Sequence, residues 1–344
     1  MKTDPRQAVT IADWKAELAD AFDAPDKLLS FLRLKTTDFD SKIDLRPGFP
    51  FRVPRNYAQR MEKGNPFDPL LLQVLPFACE NETHSGYRPD PVQDLHAVVA
   101  PGTLQKYQHR VLLITTGACA IHCRYCFRRH FPYSKENAGS GQWQQALDYL
   151  RAHPRITEVI LSGGDPLVLS DRRLATLCRE LTAVEHIERL RIHTRFPIVV
   201  PSRITTELLD WLGTLGKPVV FVIHCNHANE LGTHTVQALH KLRRAGVLLL
   251  NQSVLLRGIN DRAETLKLLS EKLLAGGVLP YYLHLPDPVT GTAHFDVSAD
   301  SATRLLSQLS ASLPGYLVPR LVKEVAGAAG KILLNHYAPE SGCQ

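Results

Sequence analysis

Six short runs rich in β-branched and other apolar residues follow one another from residue 110 onward, and amphipathic helical stretches separate them. This alternation constrains the fold most, because strands that alternate with helices form a parallel sheet. Such a sheet is either doubly wound or curled into a barrel, and both forms bind ligands at the carboxyl ends of the strands. The predicted strands are 111–115, 158–161, 190–193, 219–223, 247–255 and 278–283, with predicted helices that include 172–182, 235–244 and 262–274.

The first hundred residues carry a different pattern. Helical periodicity at 11–34 and 57–75 is interrupted by turn signals such as Asn65-Pro66. We therefore predict three parts: a helical N-terminal domain at 1–105, an α/β domain at 106–315 and a short C-terminal segment at 316–344.

Composition narrows the class of protein. The 344 residues are 44% hydrophobic, which is enough for a large core, and no run of apolar residues is long enough to span a membrane. Seven cysteines, an odd number, and an opening sequence without an apolar leader predict a cytoplasmic protein without a disulfide framework. The net charge of +6 is modest and scattered, which indicates small anionic ligands rather than nucleic acid.

Three cysteines stand directly after the first predicted strand, in the order C-x3-C-x2-C: Cys119, Cys123 and Cys126. Thiolates are the usual ligands of iron-sulfur clusters, and three of them would hold a [4Fe-4S] cluster with one iron open for chemistry. A structural zinc site is the alternative. It would need a fourth ligand such as His122 or His130, and no second ligand pair follows at zinc-binding spacing.

Further polar residues stand where the other predicted strands end, so we expect them to meet at one site. Gly163 and Gly164 follow the second strand, where they could form a tight turn or permit close approach to a ligand. The other residues at strand ends are Ser162, Asp165, His193, Arg195, His224 and Asp287, and Gln252 lies within the fifth strand.

Several longer motifs resemble the lysine 2,3-aminomutase family of radical S-adenosylmethionine (SAM) enzymes. They are GACAIHCRYCFRRHFPY at 117–133, LSGGDPL, RIHTRFPIVVPSRIT, NQSVLLRGIND and PYYLHLPD, and the resemblance covers about 55–331. It implies an open, partial (β/α)6 barrel, a [4Fe-4S] cluster, SAM and pyridoxal 5′-phosphate (PLP). CRYCFRRHFPY and the compact length are most similar to the bacterial members that supply β-lysine for elongation factor P.

The resemblance also implies roles for individual residues. Lys331, in the segment GAAGK, matches the lysine that holds PLP covalently, and its two preceding alanines replace glycines common in the family. Glu324 stands where free-lysine mutases have aspartate. The implied SAM-binding residues are Tyr125, Ser162, Gly163, Gly164, Asp165 and Gln252; Arg110 and Tyr107 would bind PLP; Arg128 would bind the substrate carboxylate, and Asp287 and Glu324 its distal ammonium.

The implied reaction is the isomerisation of L-α-lysine to β-lysine, in the (R) form for modification of elongation factor P. Implied partners are a flavodoxin- or ferredoxin-type reductant, elongation factor P with its lysyl ligase, and a further copy of the chain in a homo-oligomer. Two other readings stay open. The chain could be an aminomutase for another amino acid or for a lysyl group attached to a protein, or a cluster-carrying redox module, although such a module would need neither the glycine pair nor the Lys331 segment.

Overall fold

One sheet organises the chain in a computed structural model that describes residues 13–136 and 143–334. The ends of the predicted outer domains, 1–12 and 335–344, lie outside the described residues. The sheet's strands pair in the order of the sequence. They are β1 (Val98–Ala100), β2 (Thr103–Tyr107), β3 (Arg110–Thr116), β4 (Glu158–Gly163), β5 (Arg189–Thr194), β6 (Val219–His224), β7 (Leu248–Val254), β8 (Leu279–His284), β9 (Arg320–Lys323) and β10 (Ile332–Leu333).

The strands from β3 to β9 are parallel, and helices connect most neighbouring pairs. Their consecutive order lacks the reversal that defines a doubly wound sheet, so the sheet curls toward a barrel. Antiparallel partners flank β3 and β9, and the described barrel is therefore open. The helices are α1 (Trp14–Ala19), α2 (Pro25–Phe31), α3 (Arg55–Ala58), α4 (Trp143–Ala152), α5 (Asp171–Thr182), α6 (Phe196–Val199), α7 (Thr206–Gly213), α8 (Thr233–Arg244), α9 (Ala263–Ala275) and α10 (Ala299–Ser312).

All six predicted strands are confirmed as β3 to β8, and the three predicted helices are α5, α8 and α9. Helix α5 shows why the pattern was readable. It buries Leu174, Leu177, Cys178 and Leu181, which recur at the spacing of one helix face. Burial stabilises the fold by about 1.5–3 kcal/mol for each leucine.

A buried ion pair fixes the start of α5. The carboxylate of Asp171 accepts hydrogen bonds from Arg203 Nη1 and Nη2, each at 3.0 Å, and from Trp211 Nε1 at 3.0 Å. Arg203 is 0% exposed, and its Nε donates to the Leu167 carbonyl at 2.8 Å. This arginine therefore joins the loop after β4 to the helix that follows it.

The prediction of a helix at 57–75 is wrong. Only α3 is helical there, and turns follow because the Asp68 carboxylate accepts the backbone N–H groups of Leu70 at 2.8 Å and Leu71 at 3.0 Å. A side-chain acceptor of this kind competes with helical hydrogen bonding. The leucines are nevertheless fully buried, since the segment packs against the barrel.

Both predicted domain boundaries cut through the sheet. Strand β2 spans the boundary at 105/106, and β9, predicted to lie in the C-terminal segment, extends the parallel sheet beside β8. Strand β9 has only four residues, too few to show a period in the sequence. Within the described residues, no helix has the length and apolarity needed to cross a membrane.

Candidate active site

The carboxyl ends of the parallel strands surround one cavity, and every site residue predicted from the sequence lines it. Neighbouring parallel strands end at the same edge of the sheet, which is why residues far apart in sequence meet there. The lining residues include Cys119, Cys123, Tyr125, Cys126, Arg128, Ser162, Gly163, Gly164, Asp165 and Gln252 on one side, and Tyr107, Arg110, Asp287, Glu324 and Lys331 on another.

The cysteine loop that follows β3 forms one wall. Burial raises the pKa of the Cys126 thiol to about 11, and burial with the neighbouring Cys126 raises the pKa of Cys119. Thiols in such a position ionise when they bind a metal, which supplies the missing positive charge. Three thiols on one loop around one cavity fit a [4Fe-4S] cluster with an open iron.

Neither histidine considered for a zinc site is placed as a fourth ligand. His130 Nε2 lies 3.2 Å from the Thr290 carbonyl, and the ring of His122 packs 5.7 Å from that of Phe49. Neither histidine lines the cavity. Across residues 13–136 and 143–334, no three His, Cys, Asp or Glu side chains converge as they do around a single ion.

The two glycines at the end of β4, Gly163 and Gly164, lie against the cysteine loop. A Cβ on Gly164 would stand 2.2 Å from the Ala118 carbonyl oxygen, and one on Gly163, whose φ is +122°, would stand 2.4 Å from that of Thr116. The sequence left open a tight turn or close approach to a ligand. In the structure the backbone of the cysteine loop passes too close to each glycine for a side chain.

Asp165, the acid of the same segment, does not present a free carboxylate to the cavity. It accepts hydrogen bonds from the Thr194 hydroxyl at 2.7 Å, from the Arg195 backbone N–H at 2.7 Å and from Leu167 N–H at 3.0 Å. Burial raises its pKa to about 6, against these hydrogen bonds. Asp165 thus joins the loop after β4 to the end of β5.

Lys331 and Glu324 form an ion pair on the opposite wall. Lys331 Nζ lies 2.5 Å from Glu324 Oε2, and the Tyr107 hydroxyl donates to Oε1 at 2.8 Å. Lys106 Nζ is 3.8 Å from the same oxygen. Burial opposes ionisation of Glu324, but the attraction of Lys331 and these hydrogen bonds outweighs it and lowers the pKa of Glu324.

Asp287 differs from Glu324 in its charge state. Burial, then repulsion from Glu324, raises the pKa of Asp287 to about 7, although Lys331 and Lys106 act in the opposite direction. Two carboxyl groups in one cavity are therefore held in different protonation states near neutral pH. A cation that entered between them would favour ionisation of both.

Arg128 is held by a residue that the sequence analysis did not single out. Its Nε donates to Asp94 Oδ2 at 2.6 Å and its Nη1 to Ser162 Oγ at 3.3 Å. Asp94 also contacts Lys106 Nζ at 2.6 Å. Asp94 belongs to the N-terminal part, in a polar run without periodicity, so no local pattern marks it as a cavity residue.

Aromatic and imidazole side chains complete the cavity. The ring of Tyr282 lies 5.8 Å from Lys331 Nζ, and the guanidinium of Arg110 lies 4.1 Å from the ring of Tyr107. Burial, with Lys331 nearby, lowers the pKa of His284 to about 3. The Lys331 amine beside the Tyr282 ring, in a cavity that Arg110 also lines, fits an aromatic cofactor that bears a phosphate.

Comparison with known proteins shows which family the chain resembles in sequence. The radical SAM superfamily matches residues 113–269. The L-lysine 2,3-aminomutases of Escherichia coli (48% identical, 94% of each chain) and Haemophilus influenzae (46%, 93% of this chain and 95% of that one) align along nearly the whole length. That of Clostridium subterminale is 32% identical over 96% of this chain and 80% of its own. The chain therefore belongs to the lysine 2,3-aminomutase family of radical SAM enzymes, which are isomerases.

Proposed function

We propose that this protein is a radical SAM, PLP-dependent lysine 2,3-aminomutase that isomerises L-α-lysine to β-lysine. The observation that supports this most is that a single cavity joins the cysteine loop to the Lys331–Glu324 pair. A cluster-carrying redox module would have no use for the second wall. An aminomutase needs both walls, because the radical source must reach the carbon next to the migrating amine.

The cysteine wall would hold the radical source. Cys119, Cys123 and Cys126 would bind three irons of the cluster, and SAM would lie along Tyr125, Gln252 and the loop at 162–165. When bound, the cluster and SAM supply a carbon-centred radical for hydrogen abstraction, and PLP supplies the π-system that carries the nitrogen across. The chain's own part is to orient these groups and to exclude water and oxygen.

The opposite wall would hold PLP. Lys331 would carry it covalently, with Arg110 on the phosphate and Tyr107 beside it. Lys331 must lose a proton before its amine can react. Glu324 Oε2, 2.5 Å from Nζ, is positioned to accept that proton.

Charge would select the substrate. Arg128 would bind the α-carboxylate, while Asp287 and Glu324 would bind the distal ammonium of lysine. Both acids lie in the same cavity as Lys331, and a substrate with a second carboxylate, such as glutamate, would be repelled there. Glu324 contacts Lys331, Tyr107 and Lys106, so it would exchange partners when lysine binds.

The proposal for the cellular role is supported by the resemblance at 123–133. We propose that (R)-β-lysine is the product and that a lysyl ligase transfers it to elongation factor P. A flavodoxin- or ferredoxin-type protein would reduce the cluster, and the enzyme would act as a homo-oligomer.

The test is an anaerobic assay of cluster-reconstituted protein with PLP, SAM, dithionite and L-lysine, in which mass spectrometry detects β-lysine. Lys331→Ala and Cys126→Ala should each abolish the product, while the matched controls Lys323→Ala and Cys79→Ala should retain it. If SAM is cleaved but lysine is unchanged, the proposal of lysine as the substrate is refuted, whereas the proposal of a cluster and SAM site stands. Product formed only on lysylated elongation factor P would favour the protein-attached alternative.

A further inference from the structure

Arg195, the first residue after β5, contacts the cysteine wall and lines the same cavity. Its Nη1 donates a hydrogen bond to Cys123 Sγ at 2.6 Å, and the residue is only 6% exposed. Among the three loop cysteines, Cys123 alone receives a hydrogen bond from a side chain in the described parts of the chain. The contact therefore distinguishes one of the three sulfurs.

The guanidinium cannot easily leave this position. Its Nη2 donates to Glu230 Oε2 and Gln73 Oε1, each at 2.8 Å, and lies 3.3 Å from the Tyr57 hydroxyl. Asp165 binds the backbone N–H of the same arginine at 2.7 Å. These buried contacts thus fix the orientation of the Arg195 guanidinium against the Cys123 sulfur.

Glu230 is itself fixed. It is 0% exposed, and its Oε1 accepts the backbone N–H groups of Asn226 at 2.9 Å and His227 at 3.0 Å. Its carboxylate partly neutralises the guanidinium. The net charge that Cys123 experiences is therefore set by the arginine and the glutamate together.

We propose that Arg195 is a positioning residue that raises the reduction potential of the [4Fe-4S] cluster through its hydrogen bond to Cys123. The negative charge of Glu230 makes this rise smaller. The inference rests on the proposed function for the presence of the cluster. Reduction by one electron, from a flavodoxin- or ferredoxin-type donor, makes the cluster and its thiolates more negative. A cationic donor on a ligand sulfur stabilises this reduced state more than the oxidised one, so it raises the potential.

The proposal is testable because substitutions of Arg195 and Glu230 should shift the reduction potential in opposite directions. Arg195→Met removes the donor and should lower the ratio of reduced to oxidised cluster at a fixed potential about tenfold, which is about 59 mV for a one-electron couple. Arg195→Lys keeps the charge and should fall between this variant and wild type. Glu230→Gln leaves the guanidinium uncompensated and should raise the ratio.

The measurement is a potentiometric titration of reconstituted protein, without SAM or lysine, followed by the electron paramagnetic resonance signal of the reduced cluster and normalised to iron content. Arg189→Met is the control, because Arg189 lies at the start of β5, its side chain is 43% exposed, and it pairs with the exposed Glu188. Its titration should match wild type.

Unchanged potentials in iron-replete variants would overturn the proposal. An unchanged potential with weakened SAM binding in Arg195→Met would assign the arginine to SAM and also overturn it. If Arg195→Met does not fold, Arg195→Lys and Glu230→Gln decide the matter, and the absence of opposite shifts refutes the inference. Shifts as expected without lysine turnover would refute only the proposed substrate, whereas a chain that binds no cluster refutes both proposals.

Discussion

The charge state of Asp287 should govern how tightly the enzyme binds lysine near neutral pH. Burial and the nearby Glu324 raise the pKa of Asp287 to about 7. A carboxyl group with that pKa is about 90% ionised at pH 8 and about 10% ionised at pH 6. The distal amine of lysine stays protonated throughout, so only the ionised carboxylate attracts it.

We therefore expect kcat/KM for lysine to fall about tenfold from pH 8 to pH 6 through this group, since kcat/KM reports the ionisations of the free enzyme. The α-amine of the substrate also titrates, so the Asp287→Asn variant provides the baseline. The ratio of wild-type to variant kcat/KM should shrink about tenfold between pH 8 and pH 6.

A ligand without the distal ammonium provides a second control. Norleucine has the same chain without the amine, and its binding to the PLP-loaded protein should not follow the ionisation of Asp287. A ratio of wild-type to Asp287→Asn kcat/KM that stays constant from pH 6 to pH 8 would refute the raised pKa.

The same ionisation should affect folding stability in the opposite direction. Because the pKa of Asp287 is raised in the folded state, its ionisation lowers the free energy of unfolding between about pH 4 and pH 7. Asp287→Asn should therefore raise the melting temperature at pH 8 but not at pH 4.

Three further predictions concern other parts of the structure. Gly164→Ala should lower iron incorporation and the melting temperature, because its Cβ meets the cysteine loop, whereas Gly213→Ala, with open space around it, should change neither. Arg203→Met should lower the free energy of unfolding by about 3–5 kcal/mol in urea titrations, since it leaves a buried carboxylate on α5 unpaired; a smaller loss would show that the site can relax. Tyr107→Phe removes the 2.8 Å hydrogen bond to Glu324 and should raise KM for lysine several-fold at unchanged iron content, an outcome that unchanged kinetics would contradict.

The strands and helices of the barrel were predictable from the sequence because their signals are local. Each strand from β3 to β8 is a short apolar run between turn signals, and helices such as α5 repeat their buried side chains every three or four residues. The N-terminal part was not predictable in the same way. Its buried leucines at 70 and 71 lie in turns that Asp68 stabilises, so apolar spacing without helical hydrogen bonding misled the prediction.

The candidate site likewise contains residues that could be predicted from the sequence and residues that could not. Some of its predicted residues carry local marks, such as the cysteine spacing or a position at a strand end, and others are implied by the family resemblance; all of them line the cavity. The residues that hold them in place carry no such mark. Asp94, Gln73 and Glu230 reach Arg128 and Arg195 from distant segments, and no spacing in the chain records such contacts.

The sequence by itself determined the α/β class of the fold and the positions of most strands, because periodicity is a property of neighbouring residues, and its motifs supplied the family resemblance that implies the site residues. Only the tertiary structure decided the electrostatics. The raised pKa of Asp287, the lowered pKa of Glu324 and the contact of Arg195 with Cys123 depend on burial and on charges brought together from separate strands and loops. Coulomb energy and desolvation depend on distance in space, and folding alone sets those distances.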